Sequence, residues 1–216
     1  MTTCVSPQIF QKDDSPIIRK KLYEETIMLW LTCTNLDIYV MESSGSTLDI
    51  PNHPRINMYS FTIPNDIVQG NSSIGEAMSI QKAMEYFGLV EKYEFIVKVT
   101  GRYFVPELES FVNNVLSISR PIPSFLFQQY KRNLIFSVIF QDYIRGKNRQ
   151  PSEIFGFKSN LYKVFTDRII NHTTHLMEES LHEMSSHPSM TIYRMPKLKL
   201  HKPVKRGGDR RLMYNI

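Results

Sequence analysis

Two cysteines in 216 residues, Cys4 and Cys33, rule out a disulfide framework, and without Cys-x-x-Cys spacing they read as reduced thiols. No apolar run reaches the roughly 18 to 20 residues that a bilayer crossing needs. Residues 1–7 lack the basic-then-apolar order of a secretory signal, so a cytoplasmic protein without a transmembrane segment is expected. Three catalytic signatures are missing. There is no Gly-x-x-x-x-Gly-Lys phosphate loop, no Gly-x-Ser-x-Gly elbow and no Asp-x-Asp. Six histidines include His172-x-x-His175, but no third ligand stands nearby, so no metal site is read from them.

What is present is a folded composition, 42% hydrophobic and 12% aromatic. The net charge of +5 is unevenly spread. Residues 194–216 hold eight basic residues against Asp209 alone, a net +7, while the rest has 18 basic and 20 acidic residues, a net −2. The expected organisation is one α/β domain over 1–193 and a basic tail over 194–216.

Strand and helix patterns alternate along the domain. A short strand at 2–6 precedes a helix opened by Asp14-Ser15-Pro16. Strands follow at 36–41 and 55–61. A helix from Ser72 stops at Gly88, a strand spans 93–99, and a helix starts at Pro106-Glu107. Residues 121–145 stay ambiguous, and the apolar run 133–140 suits a strand or a helix, with strand preferred. Residues 152–157 read as a short strand or loop, and helices follow at 159–170 and 174–185. Pro196 and Pro203 argue against helix in the tail. The order implies helices around a mostly parallel, mixed sheet.

The most informative stretch is Lys98-Val99-Thr100-Gly101-Arg102-Tyr103. A β-branched run ends in two hydroxyls, a glycine and an obligate cation, at the strand end where open α/β sheets bind ligands. Arg102 can clamp a diphosphate through two N–H groups. The helix start at Ser72-Ser73-Ile74-Gly75-Glu76 offers free N–H groups to an anion, or serves as a plain cap. Glu178, beside Glu179, is a candidate general base, although paired helical glutamates are more often solvated.

Taken together, these segments resemble small GT-A-fold glycosyltransferase-like proteins of bacterial surface-glycan clusters and large DNA viruses. The resemblance runs through residues 19–26, Glu42-Ser43-Ser44-Gly45, Gly75-Glu76-Ala77, Lys98 to Phe104, Ser152-Glu153-Ile154-Phe155-Gly156-Phe157, Met177-Glu178 and Arg206-Gly207-Gly208. It implies a nucleotide-sugar donor and a glycan or glycoprotein acceptor, with no nucleic acid as partner. Glu42, Ser44 and Gly45 would line the nucleoside. Gly75 and Glu76 would join the donor site, and Lys98, Thr100, Gly101, Arg102 and Tyr103 would lie beneath the diphosphate and sugar. Glu153, Phe155 and Gly156 would hold a sugar. Glu178 would deprotonate the acceptor in an inverting displacement, and Arg206, Gly207 and Gly208 would close as a lid. Where relatives carry Asp-x-Asp this chain has Thr100-Gly101-Arg102, so no metal is required by the pattern, and Mn²⁺ or Mg²⁺ stays open. The alternatives are a catalytically degenerate assembly partner and a basic-tailed nucleic-acid binder.

Overall fold

The computed structural model describes residues 1–6, 15–68, 71–128, 150–171, 176–205 and 212–215. The chain has an α/β fold. Among the described residues its elements are β1 (Thr2–Thr3), α1 (Pro16–Cys33), β2 (Ile38–Glu42), β3 (Ile56–Ser60), α2 (Asn65–Val68), α3 (Ser72–Tyr86), α4 (Leu89–Lys92), β4 (Phe95–Val99) and α5 (Leu108–Ile118). They continue with β5 (Phe125–Gln128), β6 (Ile154–Lys158), α6 (Tyr162–Asn171), α7 (Met177–Ser186), β7 (Ile192–Met195), β8 (Lys199–Lys205) and β9 (Leu212–Asn215).

Local chemistry sets the helix ends. The Ser15 hydroxyl accepts the Ile18 N–H at 3.3 Å, and Pro16 occupies the first turn, where its missing donor costs nothing. Arg55 satisfies the other end of α1, donating to the carbonyls of Leu31, Thr34 and Leu36. α3 gives way to Gly88, whose φ of +60° suits a residue without Cβ.

Strands β1, β2 and β3 pair in parallel in the order β1-β2-β3. A second sheet runs β4-β6-β5-β7, with β6 antiparallel to both neighbours and β7 parallel to β5. A parallel bridge from Thr2 to Thr100 and the Gly101 N–H to Thr2 carbonyl bond (2.9 Å) join the sheets edge to edge. The ends of β1, β2, β3, β4, β5 and β7 therefore share one edge with the start of β6. Below β1, which is only two residues long, a cavity of about 280 Å³ opens between β2 and β4, lined by Ile38, Tyr39, Ile80, Val97 and Val112 among others.

One face of the sheet packs Tyr23, Ile27, Trp30 and Leu31 of α1 with Leu108 and Val112 of α5 over Val40, Val99, Leu126 and Ile154. The other packs α3, α6 and α7 over the aromatic residues of β5 and β6. The Trp30 indole donates to the Tyr103 carbonyl at 2.9 Å, tying α1 to the segment after β4.

The basic segment beyond residue 193 begins inside β7, and Met195, Leu198 and Leu200 are buried. The His201 N–H donates to the Phe104 carbonyl at 3.0 Å, and Lys202 pairs with Glu25 at 2.9 Å. Residues 195–202 are thus built into the body, through apolar side chains placed between the lysines. The run 133–140 lies outside the described residues. Among those described, no helix is long and apolar enough to cross a membrane.

Candidate functional site

Several polar residues lie along or beside the shared strand-end edge. Lys98 sits on the α3 face of β4, and its side chain is 3% exposed. Its ammonium pairs with Glu76 of α3, donates to the Ser152 carbonyl at 2.6 Å and to the Thr100 hydroxyl at 2.9 Å, and lies 5.6 Å from the Phe155 ring centre. Burial pushes the Glu76 carboxyl above the ordinary carboxylate range. Lys98 opposes that shift, and the charges of Glu178 and Glu153 add to it. Lys98 is consumed by these partners, so it acts as an internal post and not as a free cation for a diphosphate.

Glu178 stands in the first turn of α7, half-buried, and accepts the Ser152 hydroxyl at 3.2 Å. Its backbone carbonyl accepts the Gln150 N–H at 2.8 Å. Gln150 in turn donates to the Gln128 carbonyl at 2.8 Å and accepts from Arg194, so β5, β7 and α7 meet at this segment. Glu153, directly after Ser152, gives its carbonyl to the Thr100 N–H at 2.9 Å.

Arg102 follows the strand end. Its guanidinium is 5.8 Å from the Tyr103 ring centre, and its Nε is buried without a hydrogen-bond partner among the described residues. An orphaned guanidinium donor calls for an acceptor. Arg102 also bears on Tyr23, whose hydroxyl is pushed up by burial and drawn down by Arg19 and then Arg102. Arg19 is itself buried, with Nε and Nη2 on the Cys4 carbonyl at 3.1 and 2.8 Å.

No protein-family model matches the chain. Nor does any curated protein.

Other expected site residues serve packing. Glu42 is fully buried, and its carboxylate accepts the N–H groups of Val5, Ser44 and Ser46 at 2.8–2.9 Å and the Ser44 hydroxyl at 2.7 Å. With its lone pairs taken, it braces the loops after β1 and β2 and leaves nothing for a nucleoside. Ser44 is spent on the same brace and on the Ser6 N–H. Gly45 has φ +75°, and a Cβ there would come within 2.4 Å of Thr62 Oγ1. A Cβ on Gly101 would lie 2.4 Å from Thr3 Cγ2 and 3.2 Å from the Thr2 carbonyl, so this glycine admits β1 to β4. Tyr103 is 1% exposed and belongs to the core.

Phe155 is completely buried, with its ring centre 5.6 Å from that of Phe165 and 5.8 Å from that of Phe157. It shows no flat face to a sugar. Gly156 makes room for the Phe95 ring, which a Cβ would approach to 2.5 Å. Gly75 lies within the first turn of α3, where the Asn71 side chain caps the Ser73 N–H at 3.0 Å. Arg206, Gly207 and Gly208 lie outside the described residues.

The edge therefore retains Arg102, Thr100, Glu76, Glu153 and Glu178 as polar side chains with some exposure. Among the described residues, no three His, Cys, Asp or Glu side chains are grouped to hold a metal ion. Ser152 and Gln150 are the site residues that sequence reasoning missed. Their pairing with Glu178 spans more than 25 positions, and no local pattern announces it.

Proposed function

We propose that the chain is a glycosyltransferase that moves a sugar from a nucleotide donor to an acceptor hydroxyl. The observation that carries this reading is that Arg102, whose Nε–H no described residue accepts, follows the end of β4, while the Glu178 carboxylate accepts from Ser152 just before β6, the strand paired with β4. The first is a guanidinium with one buried N–H that no described residue accepts. The second is a carboxylate oriented by a hydroxyl. Strand ends of open α/β sheets are where phosphate-bearing ligands bind, and a guanidinium aimed at a leaving diphosphate stabilises the charge that develops there. The resemblance around residues 98–104 and 153–157 points the same way.

In this mechanism the acceptor oxygen bonds to the anomeric carbon as the bond from that carbon to the diphosphate oxygen breaks. The bonding electron pair leaves with the diphosphate, beside Arg102. The acceptor proton passes to Glu178. Glu153 takes hydroxyls of either sugar.

Calorimetric titration with UDP, GDP, CMP, dTDP and their sugars, with and without Mn²⁺, tests the donor site. At least one nucleotide is expected to bind, and Arg102→Met should weaken it by about 1.5–3 kcal/mol, the range for a hydrogen bond to a charged group. If none binds, the reading is wrong. With a donor in hand, Glu178→Gln should cut turnover by about 10²- to 10⁴-fold, the usual range for a lost general base, and leave donor affinity unchanged. Donor binding by a wild-type protein that transfers nothing would instead mark the assembly partner.

A further inference from the structure

We infer that Ser152 is the positioning residue for Glu178, and that Lys98 holds Ser152 in place from the donor side of the site. The inference rests on the sugar-transfer reading but concerns a residue to which that reading gives no role. Ser152 precedes β6 and is 8% exposed. Its two polar groups have different partners. The hydroxyl donates to Glu178 Oε1 at 3.2 Å, and the carbonyl accepts the Lys98 ammonium at 2.6 Å. Lys98 also reaches the Thr100 hydroxyl at 2.9 Å, two residues before Arg102. A continuous chain of contacts thus runs from the strand end that carries the cation to the carboxylate that takes the proton.

Glu178 needs such a guide. It sits on the first turn of a helix, and a glutamate there has three free torsions. Its backbone is already fixed by the Gln150 N–H, so the remaining freedom lies in the side chain, where Ser152 is its hydrogen-bond donor among the described residues. A base displaced by about 1 Å can lose about 10²-fold in rate. Ser152 touches neither donor nor acceptor in this scheme, so its loss should leave substrate affinity alone.

The experiment compares wild type, Ser152→Ala and Ser152→Thr. Ser152→Ala should lower kcat by about 10- to 100-fold, the scale of a misplaced base, with donor KM and nucleotide affinity unchanged. Ser152→Thr, which restores a hydroxyl, should recover most of kcat. A crystal structure of Ser152→Ala should show the Glu178 side chain turned out of its wild-type rotamer. An unchanged kcat, a threonine variant no better than the alanine one, or a Glu178 rotamer that stays put would each overturn the inference. Should wild type transfer no sugar at all, the functional reading fails, and the crystallographic comparison still decides whether Ser152 aims Glu178.

Discussion

Phe155→Ala is expected to lower the unfolding free energy by about 3–5 kcal/mol, the range for truncating a large buried aromatic residue. The ring has no solvent-exposed surface and meets Phe157 and Phe165 in one cluster. On the adjacent strand β5, Phe125 packs against the same Phe165 ring at 6.1 Å. Removing the phenyl ring leaves a hole that the surrounding side chains fill only in part. It also removes the apolar ring beside the Lys98 ammonium. Urea denaturation followed by circular dichroism measures the loss. A sugar-stacking residue would behave oppositely, with stability kept and saccharide affinity lost.

Lys98→Met should cost a similar amount, about 3–5 kcal/mol at pH 8, because breaking a buried pair strands the other charge. The cost should shrink toward pH 5. Burial raises the Glu76 carboxyl above its ordinary value of 4.5 in the folded protein. A group whose folded pKa is raised contributes stability that is fully present below the unfolded value and is lost as pH rises through the folded one. In wild type the Lys98 ammonium works against that loss. Without the ammonium, the ionised carboxylate has lost its cation, and the decline from about pH 4.5 upward should steepen. Glu76→Gln combined with Lys98→Met removes both charges and should recover most of the stability at pH 8. If the double variant is no more stable than the single one, the pair is not the source of the effect.

Much of the architecture was legible in the sequence because it rests on local signals. Ser15-Pro16 announces α1, Gly88 closes α3, and the β-branched run 95–99 is a strand wherever it is placed. The reading of 152–157 as strand or loop could not be settled locally. Pairing with β4 on one side and β5 on the other makes it a central strand. β5 itself escaped notice. Phe125-Leu126-Phe127-Gln128 has no usable periodicity, and its partners lie about 30 and 67 residues away, in β6 and β7.

The site divides in the same way. Residues 98–102 were recognisable as a strand end rich in functional groups, and Arg102, which follows it, has a buried Nε without an acceptor among the described residues. The roles of Gly45, Gly101 and Gly156 were not recognisable. Their glycines are demanded by Thr62, Thr3 and Phe95, contacts made by distant parts of the chain. Glu42 is the plainest case. A carboxylate at a strand end reads as a ligand contact, and only the four protein donors around it at 2.7–2.9 Å show that it is a brace.

The way residues 195–202 are stitched into the molecule decides how their charge can be probed. Truncation before β7 would strip Met195, Leu198 and Leu200 from the interior, break the bond to Phe104 and release Glu25. A shortened protein would then fail through a damaged hydrophobic interior, whatever its cations do. Charge reversal at single exposed lysines, with the chain left whole, is the edit that separates electrostatics from architecture.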